Sequence, residues 1–584
     1  MTCYPHVDIK VLEKRKDTHM KRKFLLFLVF TLACTGMMLQ TSSLTVTAQS
    51  LPISLEFNGS VLTTEIAPIL RRGLTMVPAN ILFEAMDAET SWDSQTRTLS
   101  GTVLGKTIRI ISGQDTMLLD NESTKLALAS ELIGGRLFVH ARSVVEALGG
   151  TVKWEASSRS LIINIEIANP RNVIFFHPDG FGLSHWGSLR TLIAGTDGKI
   201  NWDRLPYLAP YTGHMKDGIT GTSHGGATVH AYGVKVLRDS FGLDGTEEIT
   251  ALSGKRMSIM EEAIDAGFAT ALIQTGSITE PGTAAFVASV AERGNHAEIA
   301  RQLIESGVDI IMGGGERDML PQGVNGRHGA GRRTDGLNLI ERARQLGYSV
   351  VYTKDELMAL PANTTKVLGV FASGHTFNDR TEEALRTAGL PLYVLTAPSI
   401  AEMSGKALEI ISRNPKAQNT GFFMVAEEEG TDNFPNNANS PGSFEAGKRA
   451  DRAFGVFADF VENNPETLLI TAADSNAGNM NIDDAEPGVA LGNVAINTNS
   501  EGVNVEAPLD GVDGAGSNPF VSAKGADGIE RSFSVVWASP HDLSTGILAR
   551  AKGLNAEKLS RLGVVDNTDI YRIMYYTLFD RWLD

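Results

Sequence analysis

From Arg171 onward, apolar runs of β type alternate with helical patterns, and this alternation constrains the 584-residue chain more than any other feature. The runs are Asn172–Phe176, Ala269–Gln274, Val308–Met312, Val367–Phe371, Gly421–Val425, Leu468–Thr471 and Ser534–Trp537. Helical periodicity lies between them, as at Ser258–Ala266, His296–Ser306 and Ile400–Arg413. Strands this apolar are buried on both faces. That calls for an α/β fold, with a mostly parallel central sheet and helices on both sides. In such sheets ligands gather at the carboxyl ends of the strands. The stretch 485–531 is rich in Gly, Asn and Asp, has little periodicity, and reads as an insert or lid loop.

Three of the runs end in carboxylates. The first leads into His177-Pro178-Asp179-Gly180, the fifth into Glu427-Glu428-Glu429-Gly430-Thr431-Asp432, and the sixth into Ala472-Ala473-Asp474-Ser475. An Asp-Gly pair alone is usually only a turn. Three acidic strand ends on one sheet edge are different, because unpaired carboxylates repel and shift their pKa values upward. They point to divalent cations. The loop Ile219–Thr228 surrounds Thr222 and Ser223 with small residues, and a helix starting near Ser223 would aim free N–H groups at a phosphate. Taken alone, that loop could also be a Gly-rich turn.

A net charge of −16 argues against nucleic acid as a partner, since a basic face is needed to displace counterions. It suits an extracellular enzyme that binds cations. Residues 1–48 read as a leader. Met20-Lys21-Arg22-Lys23, an apolar run from Phe24 to Leu39, and Val46-Thr47-Ala48 form a secretory signal pattern, with cleavage expected after Ala48. The rival reading is an uncleaved anchor, but Thr31, Thr35 and Gly36 interrupt the run, which is short for a span. A secreted or cell-surface protein is therefore expected. The only cysteines, Cys3 and Cys34, lie in the leader, so the processed chain would have no disulfide.

Between 51 and 166 a pattern repeats. Leu74-Thr75-Met76-Val77-Pro78, Ile81–Ala85, Trp92-Asp93 and Arg97-Thr98-Leu99 return as Val139-His140, Val144–Leu148, Trp154-Glu155 and Arg159-Ser160-Leu161. Each copy reads as a strand, a short amphipathic helix and two strands around a turn. The segment resembles the copper amine oxidase N-terminal-like, or stalk, domain. The resemblance implies a small α+β domain used for attachment or spacing, for instance at a cell wall. A structural add-on without a partner is the alternative. His140 is the segment's single histidine, so a copper site is not expected.

The motif order in 171–584 resembles the alkaline phosphatase family. It runs from Asp179-Gly180-Phe181-Gly182 through the Ser223 loop and Gly233-Val234-Lys235 to Phe422-Phe423 before Glu427 and Thr471-Ala472-Ala473-Asp474. The likeness includes Val308–Gly315 with its three glycines, Gly369–His375 and Pro398–Met403. It implies a metal-dependent phosphomonoesterase that acts on small phosphate monoesters through a phosphoserine, often as a homodimer. Residue by residue, it implies Ser223 as nucleophile and Arg293, at the family's distance beyond Glu280, as the clamp on two phosphate oxygens. Asp179 would bridge two metals and Glu427 would bind the magnesium-type site. Asp432 would ligate the metal receiving the leaving oxygen, and Asp474 the metal activating Ser223.

Several positions depart from the family pattern. Thr222 replaces the Asp before the nucleophile, which leaves Thr222 as the alternative nucleophile. Ser475 and Asn436 stand where the family has histidines, and the final histidine is displaced by three to His541. The usual Mg-binding hydroxyl falls on Gly282, with Thr283 beside it, and Glu280 joins the metal-side candidates. These changes exchange nitrogen donors for oxygen. Zinc favours nitrogen and sulfur, whereas calcium, magnesium and manganese favour oxygen. Mg and Zn are expected from the family, with Ca or Mn at one or more sites from the donor set. The alternative is that His177, His224 or His541 restores nitrogen ligation. Rival functions are a phosphodiesterase or sulfatase-like hydrolase of the same superfamily, a degenerate protein binding phosphate or metal without turnover, and a surface adhesin led by the stalk.

Overall fold

A computed structural model of the chain describes residues 52–584 apart from 65, 87, 104–105, 166–169, 486–495, 499–503, 507–511 and 515–517. The expected leader, most of the expected linker at 167–170 and much of the 485–531 segment lie outside the described residues. No helix among the described residues is long and apolar enough to cross a membrane.

In the N-terminal part, both copies of the repeat have the same order of elements. Strand Leu74–Pro78 is followed by helix Ala79–Glu84 and strands Glu89–Asp93 and Thr98–Val103. Strand Arg136–His140 is followed by helix Ala141–Ala147 and strands Thr151–Glu155 and Ser160–Asn164. The two leading strands pair antiparallel with Val77 opposite Val139, so a local two-fold axis relates the copies. Arg97 and Arg159 occupy equivalent left-handed turn positions at φ 52° and 53°. Both helices bury their apolar stripe in one core that includes Leu82, Phe83, Val144 and Val145.

The larger part is built on a ten-stranded sheet. Its order is Ser349–Val351, Val367–Val370, Ile310–Gly314, Ala269–Ser277, Phe422–Glu428, Asn172–Pro178, Thr467–Thr471, Leu548–Gly553, Tyr207–Thr212, Val565–Asp566. The first seven strands are parallel, and Leu548–Gly553 runs antiparallel to both its neighbours. Alternation along each strand divides the side chains between two cores. Phe175, Val425 and Ile470 face one layer of helices, while Phe176, Met424 and Leu469 face the other. This two-sided burial is why the strands read as continuous apolar runs. Phe176 packs edge-on against Phe454 of the long helix Ser440–Asn463, with ring centroids 4.7 Å apart.

One expected strand belongs elsewhere. Ser532–Val536 pairs antiparallel with Asn481–Asp484 and Phe520–Val521 in a separate three-stranded sheet. Its apolar residues pack with Phe444 and Phe520 in an outer extension of the core on one face of the central sheet.

A single side chain ties three central strands together at their amino ends. Asn172 is buried, donates to Thr467 Oγ1 at 3.1 Å and Glu466 Oε1 at 3.3 Å, and accepts from Phe422 N–H at 3.1 Å. Asn172→Ala leaves that buried N–H unpaired and is expected to cost about 1–3 kcal/mol in urea unfolding. Unchanged stability would show that the clamp contributes nothing.

Candidate active site

The carboxyl ends of the three middle strands converge. Phe422–Glu428 and Thr467–Thr471 flank Asn172–Pro178 on either side, which brings Glu427 and Asp474 beside Asp179. The chain then turns sharply at Gly180, with φ 62°. A Cβ there would lie 2.6 Å from Asp432 Oδ1, so glycine lets the helix Gly430–Asn436 come close.

Two groups of potential ligand atoms share Asp179. His177, Asp179 and Asp474 form one, and Asp179, Glu427 and Glu429 the other; within each, the ligand atoms lie within 4.8 Å of one another. All five side chains are almost completely buried. Both carboxylate oxygens of Asp179, Glu427 and Asp474 lack any hydrogen-bond partner, as does Glu429 Oε2. His177 Nδ1 meets the Ala472 carbonyl at 2.8 Å, so the proton sits there and Nε2 carries the lone pair. That bare nitrogen faces Asp179 Oδ1 at 3.4 Å and Asp474 Oδ1 at 3.8 Å. Lone pairs opposing lone pairs in a dry interior are sensible only around cations. The donors fit divalent metals, mostly through oxygen.

Without cations the electrostatics are strained. Burial, followed by mutual repulsion, pushes the carboxyls of Glu427, Glu429, Asp432 and Asp474 well above the usual range. Asp179 is also buried, but without cations Asp474 and His177 take up protons and hold it below that range.

Glycine makes room for Glu427. A Cβ on Gly282 would lie 1.7 Å from Glu427 Oε1, so no side chain at 282 is compatible with this carboxylate position. Thr283 is buried beside it, and its hydroxyl accepts from Gln274 Nε2. Glu280 Oε2 accepts from Arg293 at 2.8 Å. Glu280 and Glu429 raise the Arg293 pKa against the effect of its own burial, so its charge is secure. Arg293 shares a cavity wall with Glu429, Asp432 and Asn436.

The Ser223 loop meets this cluster through Asp474. The helix Ser223–Tyr232 begins at Ser223, with Thr222 as its cap. Thr222 Oγ1 accepts from Gly225 N–H and donates to the Arg238 carbonyl, so this hydroxyl is committed. The Ser223 hydroxyl forms no side-chain hydrogen bond among the described residues. Gly226 lies against Asp474, where a Cβ would come within 2.7 Å of the Asp474 Cβ. His224 stands apart from both ligand groups; burial and the Arg293 charge hold its pKa down at about 4.

On the far side, Asn436 Nδ2 lies 3.1 Å from both oxygens of Asp432 and 3.1 Å from Asp542 Oδ1. Asp542 therefore turns toward Asp432, while its neighbour His541 is exposed on the wall of a cavity of about 610 Å³ shared with Thr222 and Asn436. Ser475 is fully buried, and its Oγ has no partner.

Sequence reasoning counted Glu429 among the strand-end carboxylates but gave neither it nor Asp542 a role of its own. Strand alternation carries a signal for Glu429, since residues 427 and 429 project to one side and 428 to the other. Glu428 indeed points away, accepting from Thr275 Oγ1 and Tyr393 OH, and burial pushes its pKa up to about 7. For Asp542 no local signal exists, because its position depends on the return of a distant loop.

Asp179→Asn is expected to abolish two bound divalent cations per chain, whereas Asp474→Asn or Glu429→Gln should abolish one each, read as metal content by mass spectrometry. Retention of both cations by the Asp179 variant would refute the shared bridge. Cation uptake must also expel protons held by the raised carboxyls, so affinity should increase with pH. Calorimetric heats that do not depend on the buffer's ionisation enthalpy would contradict this.

Both parts of the chain have known relatives. The chain matches the copper amine oxidase N-terminal domain over residues 56–163 and alkaline phosphatase over residues 170–578. The human tissue-nonspecific alkaline phosphatase isozyme is 26% identical over 362 residues, covering 56% of this chain and 66% of that protein. The Escherichia coli K12 alkaline phosphatase is 27% identical over 343 residues, covering 52% and 69%. The chain thus spans about two thirds of the length of these relatives. The crystal structure of Thermus thermophilus alkaline phosphatase superposes with a TM-score of 0.53 at 22% identity, covering 71% of this chain and 92% of that one. The alkaline phosphatase from the Antarctic bacterium TAB5 gives 0.51 at 19% identity, covering 70% and 98%. With a family match that spans more than half its length, the chain belongs to the alkaline phosphatase family.

Proposed function

We propose that the protein is a divalent-metal-dependent phosphomonoesterase with Ser223 as its nucleophile. The observation carrying this reading is a set of buried, unpartnered carboxylates packed against the first turn of a helix that begins at an uncommitted serine. Bound cations would neutralise the phosphate dianion and lower the pKa of the attacking hydroxyl. His177, Asp179 and Asp474 would hold one, and Asp179, Glu427 and Glu429 another, while Asp432, Asn436 and Asp542 form an oxygen-rich third position. That donor set favours a hard cation such as Ca or Mn beside the family's Mg and Zn.

The chain's own residues then orient and transfer. Thr222 and the free N–H groups of the first turn fix the Ser223 loop and face the phosphate. Arg293 holds two phosphoryl oxygens with its planar fork, itself aligned by Glu280. Ser223 Oγ gives its proton to water and forms a bond to phosphorus as the ester P–O bond breaks. The departing alkoxide takes a proton from water, and a second water hydrolyses the phosphoserine. The same reading takes the enzyme to the cell exterior through residues 1–48, with the stalk domain as its spacer or attachment. N-terminal sequencing of the exported protein should then begin at Gln49.

The direct test uses residues 49–584, stripped with chelator and assayed on p-nitrophenyl phosphate with zinc, magnesium, calcium, manganese and cobalt singly and in pairs. Activity should return only with cations. Ser223→Ala should lose at least ~10³-fold in kcat. Arg293→Ala should lose about 10²–10³-fold. An active Ser223→Ala beside an inactive Thr222→Val would transfer the nucleophile to Thr222. Preference for bis(p-nitrophenyl) phosphate or a sulfate ester would move the assignment to another hydrolase of the superfamily.

A further inference from the structure

The Gly313-Gly314-Gly315 strand end and the loop Ala372-Ser373-Gly374-His375 supply no member of the two ligand groups, yet they are built against each other. A Cβ on Gly314 would lie 1.7 Å from the Gly374 carbonyl oxygen, so only glycine permits this approach. Gly315, at φ 97°, turns the chain so that its N–H and that of Glu316 both donate to the Ala372 carbonyl at 3.1 Å. Arg317 N–H donates to Ser373 at 3.2 Å. These contacts seat the Arg317 guanidinium under the loop, with carbon Cζ 3.4 Å from where a Cβ on Gly374 would be.

That guanidinium is poorly satisfied. Its Nε is buried without a partner, and Asp318 Oδ2 is 3.7 Å away, beyond hydrogen-bond reach. Asp318 already pairs with Arg332. Across a cavity of about 380 Å³ stands Arg380, exposed and without an ion pair among the described residues. Asp379 is the single carboxylate lining this cavity, and Asn437 Nδ2 holds it at 2.6 Å. His375 and Asp379 also line the adjoining cavity that contains Arg293 and Asp432, so the two spaces meet at His375. His375 Nδ1 accepts from Ser277 N–H at 3.3 Å, which leaves its protonated Nε2 directed toward Glu280, 4.0 Å away.

We propose that the cavity of Arg317 and Arg380 is a leaving-group subsite for a second anionic group on the substrate. The preferred substrates are then phosphate monoesters whose alcohol carries another phosphate or a carboxylate. Arginine suits either anion, because its planar fork binds two oxygens at once. The reactive phosphoryl group lies against Arg293, the second anion lies beyond His375, and the connecting carbons span the junction. This inference rests on the phosphatase reading and adds its substrate class.

The test is a spacing series: α,ω-alkanediol bisphosphates of three to six carbons, the matching ω-carboxyalkyl phosphates, and the matching uncharged monophosphates, all with the metal-loaded enzyme. One spacing should give a bisphosphate kcat/KM at least tenfold above its monophosphate, well beyond the statistical factor of two. The carboxylate series shows which anion is favoured. Arg317→Met and Arg380→Met should each raise KM for that bisphosphate about tenfold, with kcat and all p-nitrophenyl phosphate kinetics unchanged. A ratio near two at every spacing, or unchanged KM in both variants, would overturn the subsite. Calorimetry with the corresponding alkane bisphosphonates needs no turnover. A tenfold weaker Kd in both variants supports the subsite even if p-nitrophenyl phosphate is not hydrolysed, an outcome that would sink only the phosphatase reading. Equal Kd in wild type and variants refutes it.

Discussion

Everything in the larger part of the chain depends on repulsion among carboxylates that the fold forces together. The sheet brings Asp179, Glu427 and Asp474 to one edge, and Glu429 and Asp432 follow on the next helix. Each is buried, and most of their oxygens have no donor within reach. A protein interior does not tolerate such a cluster on its own account, since each uncompensated buried charge costs several kcal/mol. The cluster persists because the apolar sheet beneath it is large. The two cores on its faces supply the stability that the site withholds.

Glycine is the second device, and it works by subtraction. Gly282 vacates the volume that Glu427 occupies, Gly180 lets Asp432 approach, and Gly226 admits Asp474 against the first turn of the Ser223 helix. The charged groups are therefore placed by residues that carry no functional group. The geometry does not depend on long flexible side chains reaching inward. It depends on backbone segments that pass closer than any Cβ would allow.

Much of this was legible in the sequence because the signals were local. Six of the seven apolar runs are central strands, and the three that end in acid meet at one edge. The helical runs at 258–266 and 400–413 fold as helices Ile259–Asp265 and Ile400–Ser412. What escaped was set by distant partners. Ser532–Val536 resembles a central strand in composition, but its neighbours Asn481–Asp484 and Phe520–Val521 hold it in a small outer sheet. The last two strands of the sheet, Tyr207–Thr212 and Val565–Asp566, are too short or too exposed to show as apolar runs. Asp542 was hidden beside a more conspicuous histidine. Nothing in the local pattern says which of two adjacent residues turns inward when their loop returns.

The strand order also fixes when the site can exist. Asn172–Pro178 lies between strands that begin at residues 422 and 467, and His177 bonds to a carbonyl 295 positions away. No short stretch of this polypeptide holds two of the gathered acids from different strands. Such remote pairings form late, after much chain entropy has been lost. An unfolded chain therefore offers cations at most the hydrated acidic run 427–432, with Asp179 and Asp474 far from it. Loading with metal is an event of the folded molecule, and the ions it captures are those of whichever compartment it folds in.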